Sequence, residues 1–104
     1  MLHVQRVALE CVRRLAPIVD AIARKDTDLA RQLRRSASSI VLNIAEAQGS
    51  RDGNSRLRYR TALGSTRETT AALEVATAWG YAPADETLAA RLDEVARMLF
   101  RLSR

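Results

Sequence analysis

The stretch LARQLRRSASSIVLNIAE, residues Leu29–Glu46, decides the fold because its apolar residues recur at helical spacing. At about 100° per residue, one narrow apolar stripe contains Leu29, Leu33, Ala37, Ile40 and Ile44. A polar stripe beside it contains Arg35, Ser39, Asn43 and Glu46. On the opposite side lie Val41, Leu42 and Ala45, so the second half of the helix is apolar nearly all round. We therefore predict a helix that is buried on two sides, the second of them in a subunit interface.

A second stretch, TALGSTRET at Thr61–Thr69, places a glycine and a carboxylate on the expected core face of the next helix. That face contains Leu57, Gly64, Glu68, Ala71, Val75 and Trp79. A glycine in a helix interior costs about 1 kcal/mol, which a close approach of the two helices opposite Ser38 would explain. Glu68 needs a partner, because an unpaired buried charge costs several kcal/mol. We expect Arg35 to be that partner. A weaker stripe, suited to contact with another molecule, contains Tyr59, Leu63, Thr66, Thr70 and Leu73.

The polar residues of these two helices predict a structural network that fixes their register. Its expected members are Arg35, Ser39, Asn43, Glu46, Gly64, Ser65 and Glu68. In a hairpin centred on Arg51, Ser38 is expected to lie level with Gly64. The residues expected to meet near the turn are Asn43, Glu46, Asn54 and Arg56.

Four helices are predicted, and no strand-like alternation occurs in the sequence. The expected helices cover residues 3–24, 27–48, 54–79 and 84–102. An apolar seam marks the first helix at Val4, Val7, Cys11, Leu15, Ile18 and Ile22. A similar seam marks the last at Leu88, Leu92, Val95, Leu99 and Leu102. Because the connections are short, consecutive helices should pack antiparallel, which gives an all-α, up-down-up-down four-helix bundle in one domain, residues 1–104.

Local signals indicate where these helices begin, bend and end. Asp26 or Thr27 is the expected N-cap of the second helix. Gly80 suits the left-handed position that ends the third helix, and Pro83 suits the first turn of the fourth. Pro17 lies inside the first helix and predicts a kink there, because it removes one backbone hydrogen bond.

The composition is that of an ordinary globular protein with few aromatic residues. Of 104 residues, 47% are hydrophobic and only 4% are aromatic, so the core must be aliphatic. Cys11 is the only cysteine, which excludes an intramolecular disulfide and favours a reducing compartment. The sequence has no apolar run of membrane-spanning length, and its start lacks the layout of a signal peptide. We therefore expect a cytoplasmic protein that makes no membrane contact.

The net charge of +5 is concentrated in residues 31–60. This segment has seven arginines and two acidic residues, whereas the rest of the chain has ten basic and ten acidic residues. The seven are Arg31, Arg34, Arg35, Arg51, Arg56, Arg58 and Arg60. The asymmetry favours a polyanionic partner. A second explanation stays open: these arginines belong to solvated helix faces in an arginine-rich proteome, since Lys25 is the only lysine.

Groups that could carry out catalysis are few and do not cluster in the sequence. Glu46 and Glu68 are expected to lie roughly 18 Å apart along the helix axis, too far to act on one bond as paired carboxylates. His3 is the only histidine, and Cys11 falls on an apolar seam. Neither a metal site nor a nucleophile with a base is therefore indicated. We expect no enzyme, no metal and no cofactor.

Several short motifs, in order and in register, resemble those of the 23S rRNA intervening-sequence proteins, also called four-helix bundle proteins. They lie within residues 29–81 and are Arg34–Ile40, Asn43–Glu46, Ala62–Ser65 with Glu68, and Trp79–Tyr81. The resemblance implies a bacterial protein whose antiparallel four-helix bundle forms a homopentamer, with a proposed role in binding RNA or other nucleic acid. Similar bundles are accessory variability proteins of diversity-generating retroelements, where a basic pentamer engages a reverse transcriptase and nucleic acid. Ala47 replaces a glycine of the pattern, which predicts that the second helix continues to Gly49.

The leading hypothesis is a non-enzymatic oligomeric bundle that contacts phosphates through arginines of its second and third helices. The expected contacts are Arg31, Arg34, Arg51, Arg56, Arg58, Arg60 and Arg67. Such binding depends strongly on salt and little on nucleotide sequence. The alternative is a protein-interaction or adaptor module that makes no direct contact with nucleic acid. A reverse transcriptase is one protein partner that the resemblance implies.

Overall fold

The computed structural model describes residues 1–50 and 54–104, and within them the chain forms four α-helices and no strand. The helices are α1 His3–Ala23, α2 Thr27–Gly49, α3 Asn54–Ala78 and α4 Glu86–Leu102. These bounds lie within two residues of the predicted ones. The all-α prediction is therefore confirmed for the described residues. The predicted turn at 51–53, including Arg51, lies outside them.

The four helices pack as a bundle. α2 and α4 each contact both α1 and α3. The molecule is elongated, measuring 43 × 23 × 20 Å along its principal axes. α1 continues through Pro17, whose side chain is exposed, and the kink at this residue stays a prediction.

The core is aliphatic, and the predicted seams of α1, α2 and α4 supply most of it. All five residues of the apolar stripe of α2 are buried. In α1, Val19 is buried where the seam predicted Ile18, which is half-buried. In α4, Leu88, Leu92, Val95 and Leu99 are buried. Leu102, expected in the same seam, is exposed because it lies in the last turn.

Aspartate side chains cap the N-termini of two of the helices. Asp26 accepts a hydrogen bond from the Leu29 N–H (2.9 Å), which confirms the predicted N-cap of α2. Asp85 accepts one from the Leu88 N–H (3.0 Å), so α4 begins at Glu86. Pro83 therefore lies before α4 and not, as was expected, in its first turn, because the aspartate cap fixes the start two residues after the predicted one.

Gly80 ends α3 as predicted, with a backbone φ of +78°. The Tyr81 N–H donates to the Ala76 carbonyl (2.9 Å), and the Gly80 N–H donates to the Thr77 carbonyl (3.0 Å). This pair of hydrogen bonds is the Schellman motif, which satisfies carbonyls at a helix end. α2 ends at Gly49, where the substitution at Ala47 predicted its end.

The predicted core face of α3 is wrong. The buried residues of α3 are Tyr59, Ala62, Leu63, Thr66, Thr69, Ala72 and Ala76. They include most of the stripe that was expected to contact another molecule, whereas the stripe of Leu57, Gly64, Glu68, Ala71, Val75 and Trp79 is exposed. The reason is hydrogen bonding within the helix: Thr66 donates to the Ala62 carbonyl and Thr69 to the Ser65 carbonyl, both at 2.8 Å. Threonines satisfied in this way are buried without an unpaired hydroxyl.

Hydroxyl contacts across the α2–α3 interface fix the register of these helices. The buried Ser36 and Thr69 hydroxyl oxygens lie 2.8 Å apart, and the Ser36 hydroxyl also lies 3.3 Å from the Leu33 carbonyl. Nearer the turn, the Ser39 and Ser65 hydroxyl oxygens are 2.8 Å apart. Within the two described ranges, every buried side-chain nitrogen and oxygen has a hydrogen-bond partner.

The contact between Ser36 and Thr69 predicts energetic coupling between the two side chains. Thr69→Val preserves shape but removes the hydroxyl, and should lower the free energy of unfolding by about 1 kcal/mol. Ser36→Ala should have a similar effect, and the double variant should lose less than the sum, because each single variant already breaks the contact. Urea unfolding measures all three. Ser38→Ala, at an exposed position of α2, is the control and should change little. Strictly additive losses would contradict the coupling.

A contact between α1 and α4 predicts a dependence of stability on pH. The Arg14 Nε donates to Asp85 (2.8 Å), and this bond, followed by the one from the Leu88 N–H, lowers the pKa of Asp85. The folded state therefore favours the ionised carboxylate. Its contribution is present above the ordinary carboxyl pKa and is lost as the pH falls through the lowered folded value. Asp85→Asn should make the free energy of unfolding less sensitive to acid below about pH 5. Urea unfolding across pH tests this, and equal acid sensitivity of variant and wild type would disprove it.

Candidate nucleic-acid and subunit surfaces

Three members of the predicted polar network come together at the α2–α3 interface. The Ser39 hydroxyl contacts that of Ser65, and the Asn43 amide nitrogen donates to the Ser39 carbonyl (2.9 Å) and hydroxyl (3.0 Å). All three side chains are partly buried. Because the two hydroxyls and the amide nitrogen all bond to other groups of the chain, the cluster is suited to fixing helix register.

Glu46 joins α2 to α3 by a different contact from the one predicted. It pairs with the Arg58 Nε at 3.0 Å, whereas contacts with Asn54 and Arg56 were expected. Both side chains of the pair are about half exposed, so the ion pair contributes little to stability. Its main consequence is that Arg58 lies toward α2.

The predicted ion pair between Arg35 and Glu68 is wrong. Both side chains are exposed, and among residues 1–50 and 54–104 neither forms an ion pair. The pairing was inferred from the cost of burying a charge, and this cost does not arise because the Glu68 side of α3 faces away from the core.

Gly64 does not bring α2 and α3 together, contrary to the prediction. A Cβ atom placed on it would meet no heavy atom within 4 Å. The residue is exposed in the middle of α3, so nothing within the described chain explains its presence.

A row of apolar and small residues is exposed along α3 and the adjoining part of α2, and we call it the outer face. It consists of Leu42, Leu57, Gly64, Ala71, Val75 and Trp79. Its large side chains are strongly exposed: Leu42 62%, Leu57 55%, Val75 44% and Trp79 69%. Trp79 stacks on Tyr81 at the end of α3, with ring centroids 6.3 Å apart. Large apolar side chains exposed along one helix commonly mark a contact with another molecule.

The predicted phosphate-binding arginines of α2 lie on different sides of the helix. Arg34 extends toward α1 and contacts Asp20 at 3.1 Å. Arg31 lies near Asp28 of its own helix, at 3.7 Å. Both pairs are mostly exposed, so they leave the guanidinium groups accessible to an anion.

The arginines of α3 also divide between neighbouring helices. Arg58 extends toward α2, as described above, whereas Arg60 donates to the Ser103 carbonyl just after α4 (3.3 Å). Arg56 and Arg67 are exposed and form no ion pair with any residue in the described ranges. The arginines of α2 and α3 therefore do not form one continuous patch.

Sequence reasoning missed a set of cationic and aromatic residues on α4. Together with Arg67 of α3, the side chains of Arg97, Phe100 and Arg101 line a groove of about 480 Å³ between the two helices. The sequence signal was the spacing of the arginines at 97 and 101, which places them on one side of a helix. The apolar seam of α4 does not include these arginines, so it gives no indication of the groove.

Reactive side chains lie apart from one another. Cys11 is buried, which raises the pKa of its thiol to about 11, so the thiol stays protonated at neutral pH. His3 lies 3.5 Å from Glu94 on the surface. In the parts of the chain that the structure describes, no three side chains of the metal-binding types cluster, and no helix is long and apolar enough to cross a membrane.

One comparison with known proteins gives the family and another supports the fold. The family model described as 23S rRNA-intervening sequence protein matches residues 1–101. A comparison with curated protein sequences gives no match. The chain is similar to a crystal structure of a protein of unknown function from the S23 ribosomal protein family of Bacteroides thetaiotaomicron, with a TM-score of 0.89 and 22% sequence identity. The match covers 97% of this chain and 98% of that chain, and at this identity it shows a shared fold.

The open space around Gly64 predicts that an alanine there stabilises the single chain. Gly64→Ala should raise the free energy of unfolding by up to about 1 kcal/mol, because alanine favours the helix and its methyl group meets no atom. Urea unfolding at low protein concentration measures this with least contribution from contacts between copies. Gly49→Ala, at the end of α2, is the control and should gain less. If Gly64→Ala lowered the stability instead, this would support the original prediction that Gly64 allows two helices to approach closely.

Proposed function

This chain belongs to the 23S rRNA-intervening sequence protein family, and we propose that it is a non-enzymatic helical bundle that assembles with copies of itself and binds nucleic acid. RNA is the first candidate ligand, and arginines outside the core would contact its phosphates. We propose that this takes place in the cytoplasm, without a cofactor.

The proposed topology of the bundle is antiparallel, up-down-up-down. Contacts between distant parts of the chain support it. Gln48 near the end of α2 contacts Gln5 near the start of α1. Arg60 near the start of α3 bonds to the Ser103 carbonyl after the end of α4. Pairs of this kind support neighbouring helices that run in opposite directions.

The outer face supports assembly with further copies of the chain. Its leucine, valine and tryptophan side chains lose water contact only if another molecule covers them, and this apolar burial is favourable. Glu68, which is exposed within the same stripe of α3, would need a cationic partner or water in such an interface. The expected number of five subunits comes from the family resemblance.

The distribution of charge is the observation that carries the proposed binding of nucleic acid. The whole surplus of +5 lies within residues 31–60, and Arg56 of this segment is exposed and without an ion-pair partner in the described ranges. Exposed guanidinium groups bind phosphate oxygens bidentately, and assembly multiplies the number of such contacts. Binding of this type is sensitive to salt and indifferent to most of the nucleotide sequence.

A second candidate function, an adaptor that binds another protein, is favoured by the same outer face. Exposed apolar side chains beside charged ones suit a protein partner as well as another copy. A reverse transcriptase is the partner class implied by the resemblance. Under this alternative the arginines would contact acidic protein surfaces and not phosphates.

The proposed assembly predicts that a charge on the outer face separates the subunits. Leu42→Asp places a carboxylate on the face and should reduce the mass measured by light scattering from that of an oligomer to that of one chain. Leu2→Asp makes the same change at an exposed leucine before α1 and should leave the mass unchanged. Circular dichroism checks that both variants keep their helices. A wild-type protein with the mass of one chain at all concentrations would contradict the assembly.

The proposed binding predicts a large effect of reversing two charges on α3. Arg56→Glu with Arg60→Glu should weaken binding of a short structured RNA and reduce the slope of log affinity against log salt by roughly 1.8, or about 0.9 per lost phosphate contact. Reversal of Arg13 and Arg24, exposed arginines of α1 and its end, changes the net charge equally and should affect affinity less. Fluorescence anisotropy at two salt concentrations measures both. Equal affinities for the two double variants would contradict a role for the α3 arginines.

A further inference from the structure

The groove between α3 and α4 combines cationic, hydroxyl and aromatic side chains. Its lining includes Arg67 and Thr70 of α3 and Arg97, Phe100 and Arg101 of α4. We call it the α3–α4 groove. It is partly open to solvent, and its volume of about 480 Å³ is within the range of ligand sites.

The α3–α4 groove and the neighbouring pocket near the start of α4 differ in the charge of the side chains that line them. The groove itself has three arginines against one lining carboxylate, Asp93, which forms an exposed ion pair with Arg97 at 3.4 Å. The lining of the adjoining apolar pocket instead includes Glu74 and Glu86, together with Asp85, which is paired with Arg14. A polyanion is therefore attracted to the groove and repelled from the adjoining pocket.

Phe100 gives the groove an exposed aromatic ring beside its guanidinium groups. The residue is 51% exposed, and the Arg104 guanidinium lies over one face of the ring, 5.4 Å from its centroid, so a base would stack on the other face. Tyr59, the aromatic residue that falls among the arginines of α3 in the sequence, is buried and cannot offer its ring to a ligand. An aromatic ring among cations is the usual arrangement of a surface that stacks unpaired bases while it neutralises phosphates.

We propose that the α3–α4 groove binds a single-stranded segment of nucleic acid, with one base stacked on Phe100 and the neighbouring phosphates on Arg67 and Arg101. The proposal rests on the proposed binding of nucleic acid and specifies its form and place. An unpaired strand is required, because a base within a duplex has no free face for the ring. An acidic peptide would match the charge of the groove but would make no use of the ring.

The ring is tested with two probes that differ only in their bases. Phe100→Leu keeps an apolar side chain of similar reach and removes the aromatic face. It should weaken binding of a short labelled oligo(dT) strand by at least about five-fold, since base stacking accounts for that much or more. Binding of an abasic strand of the same length should be unchanged. Equal losses for both probes, or no loss for either, would overturn the stacking.

The arginines are tested by neutralising two at a time. Arg67→Gln with Arg101→Gln should reduce the salt slope for oligo(dT) by about 1.4, or about 0.7 per lost contact with a single strand. The control, Arg13→Gln with Arg24→Gln, has the same net charge and should leave the slope nearly unchanged. Identical slopes for the two double variants would remove the groove from the binding surface.

The possible results distinguish a failure of the groove assignment from a failure of the proposed function. If the wild type binds structured RNA but Phe100→Leu and the groove arginine variant bind oligo(dT) as tightly as the wild type, the groove assignment fails and the proposed function stands. If the wild type binds neither probe, both fail. If polyglutamate displaces oligo(dT) and Phe100→Leu has no effect, the groove belongs to an acidic protein partner and the proposal is overturned.

Discussion

The close packing of α3 against α2 is the constraint on which the rest of the molecule depends. The side of α3 that enters the core is built mainly from alanines and threonines, and the hydroxyl contact between Ser36 and Thr69 fixes its register. Small side chains let two helices approach, and their hydroxyls are satisfied by each other and by carbonyls one turn earlier. Leu57, Val75 and Trp79 of α3 point away from the core. The exposed outer face is therefore a direct consequence of the way the core is packed.

The sequence predicts most of the architecture because α1, α2 and α4 have one dominant apolar stripe each. Strong periodicity leaves one way to bury such helices, and Asp26 and Gly80 act through local backbone geometry that the sequence displays directly. α3 lacks this dominance, since Leu57, Val75 and Trp79 lie on one side, whereas Tyr59 and Leu63 lie among threonines and alanines on the other. The helical spacing indicated the wrong side, because threonine hydroxyls that are satisfied within the helix can be buried. The error extended to Glu68 and Gly64, whose expected roles both assumed a buried position.

The sequence predicts the size of the excess positive charge, but not where the arginines lie on the surface of the folded chain. The sequence shows that the excess charge lies in residues 31–60, yet a helix distributes successive arginines around its axis. Arg34 extends toward α1, Arg58 toward α2 and Arg60 toward the end of α4. The groove lined by Arg67 and residues of α4 depends on which helices are neighbours, and this is a tertiary property. Charge counted along the chain therefore indicates a class of ligand, whereas the position of the contact requires the fold.

The proposed covering of the outer face by another copy of the chain is tested most directly by the fluorescence of Trp79. This residue is the only tryptophan, and it is exposed in the single chain, so its emission reports on this surface alone. We expect emission at short wavelength and weak quenching by acrylamide at high protein concentration. On dilution the emission should move to longer wavelength and quenching should increase, while the helical circular dichroism stays constant. Strong quenching that does not change with protein concentration would contradict the claim.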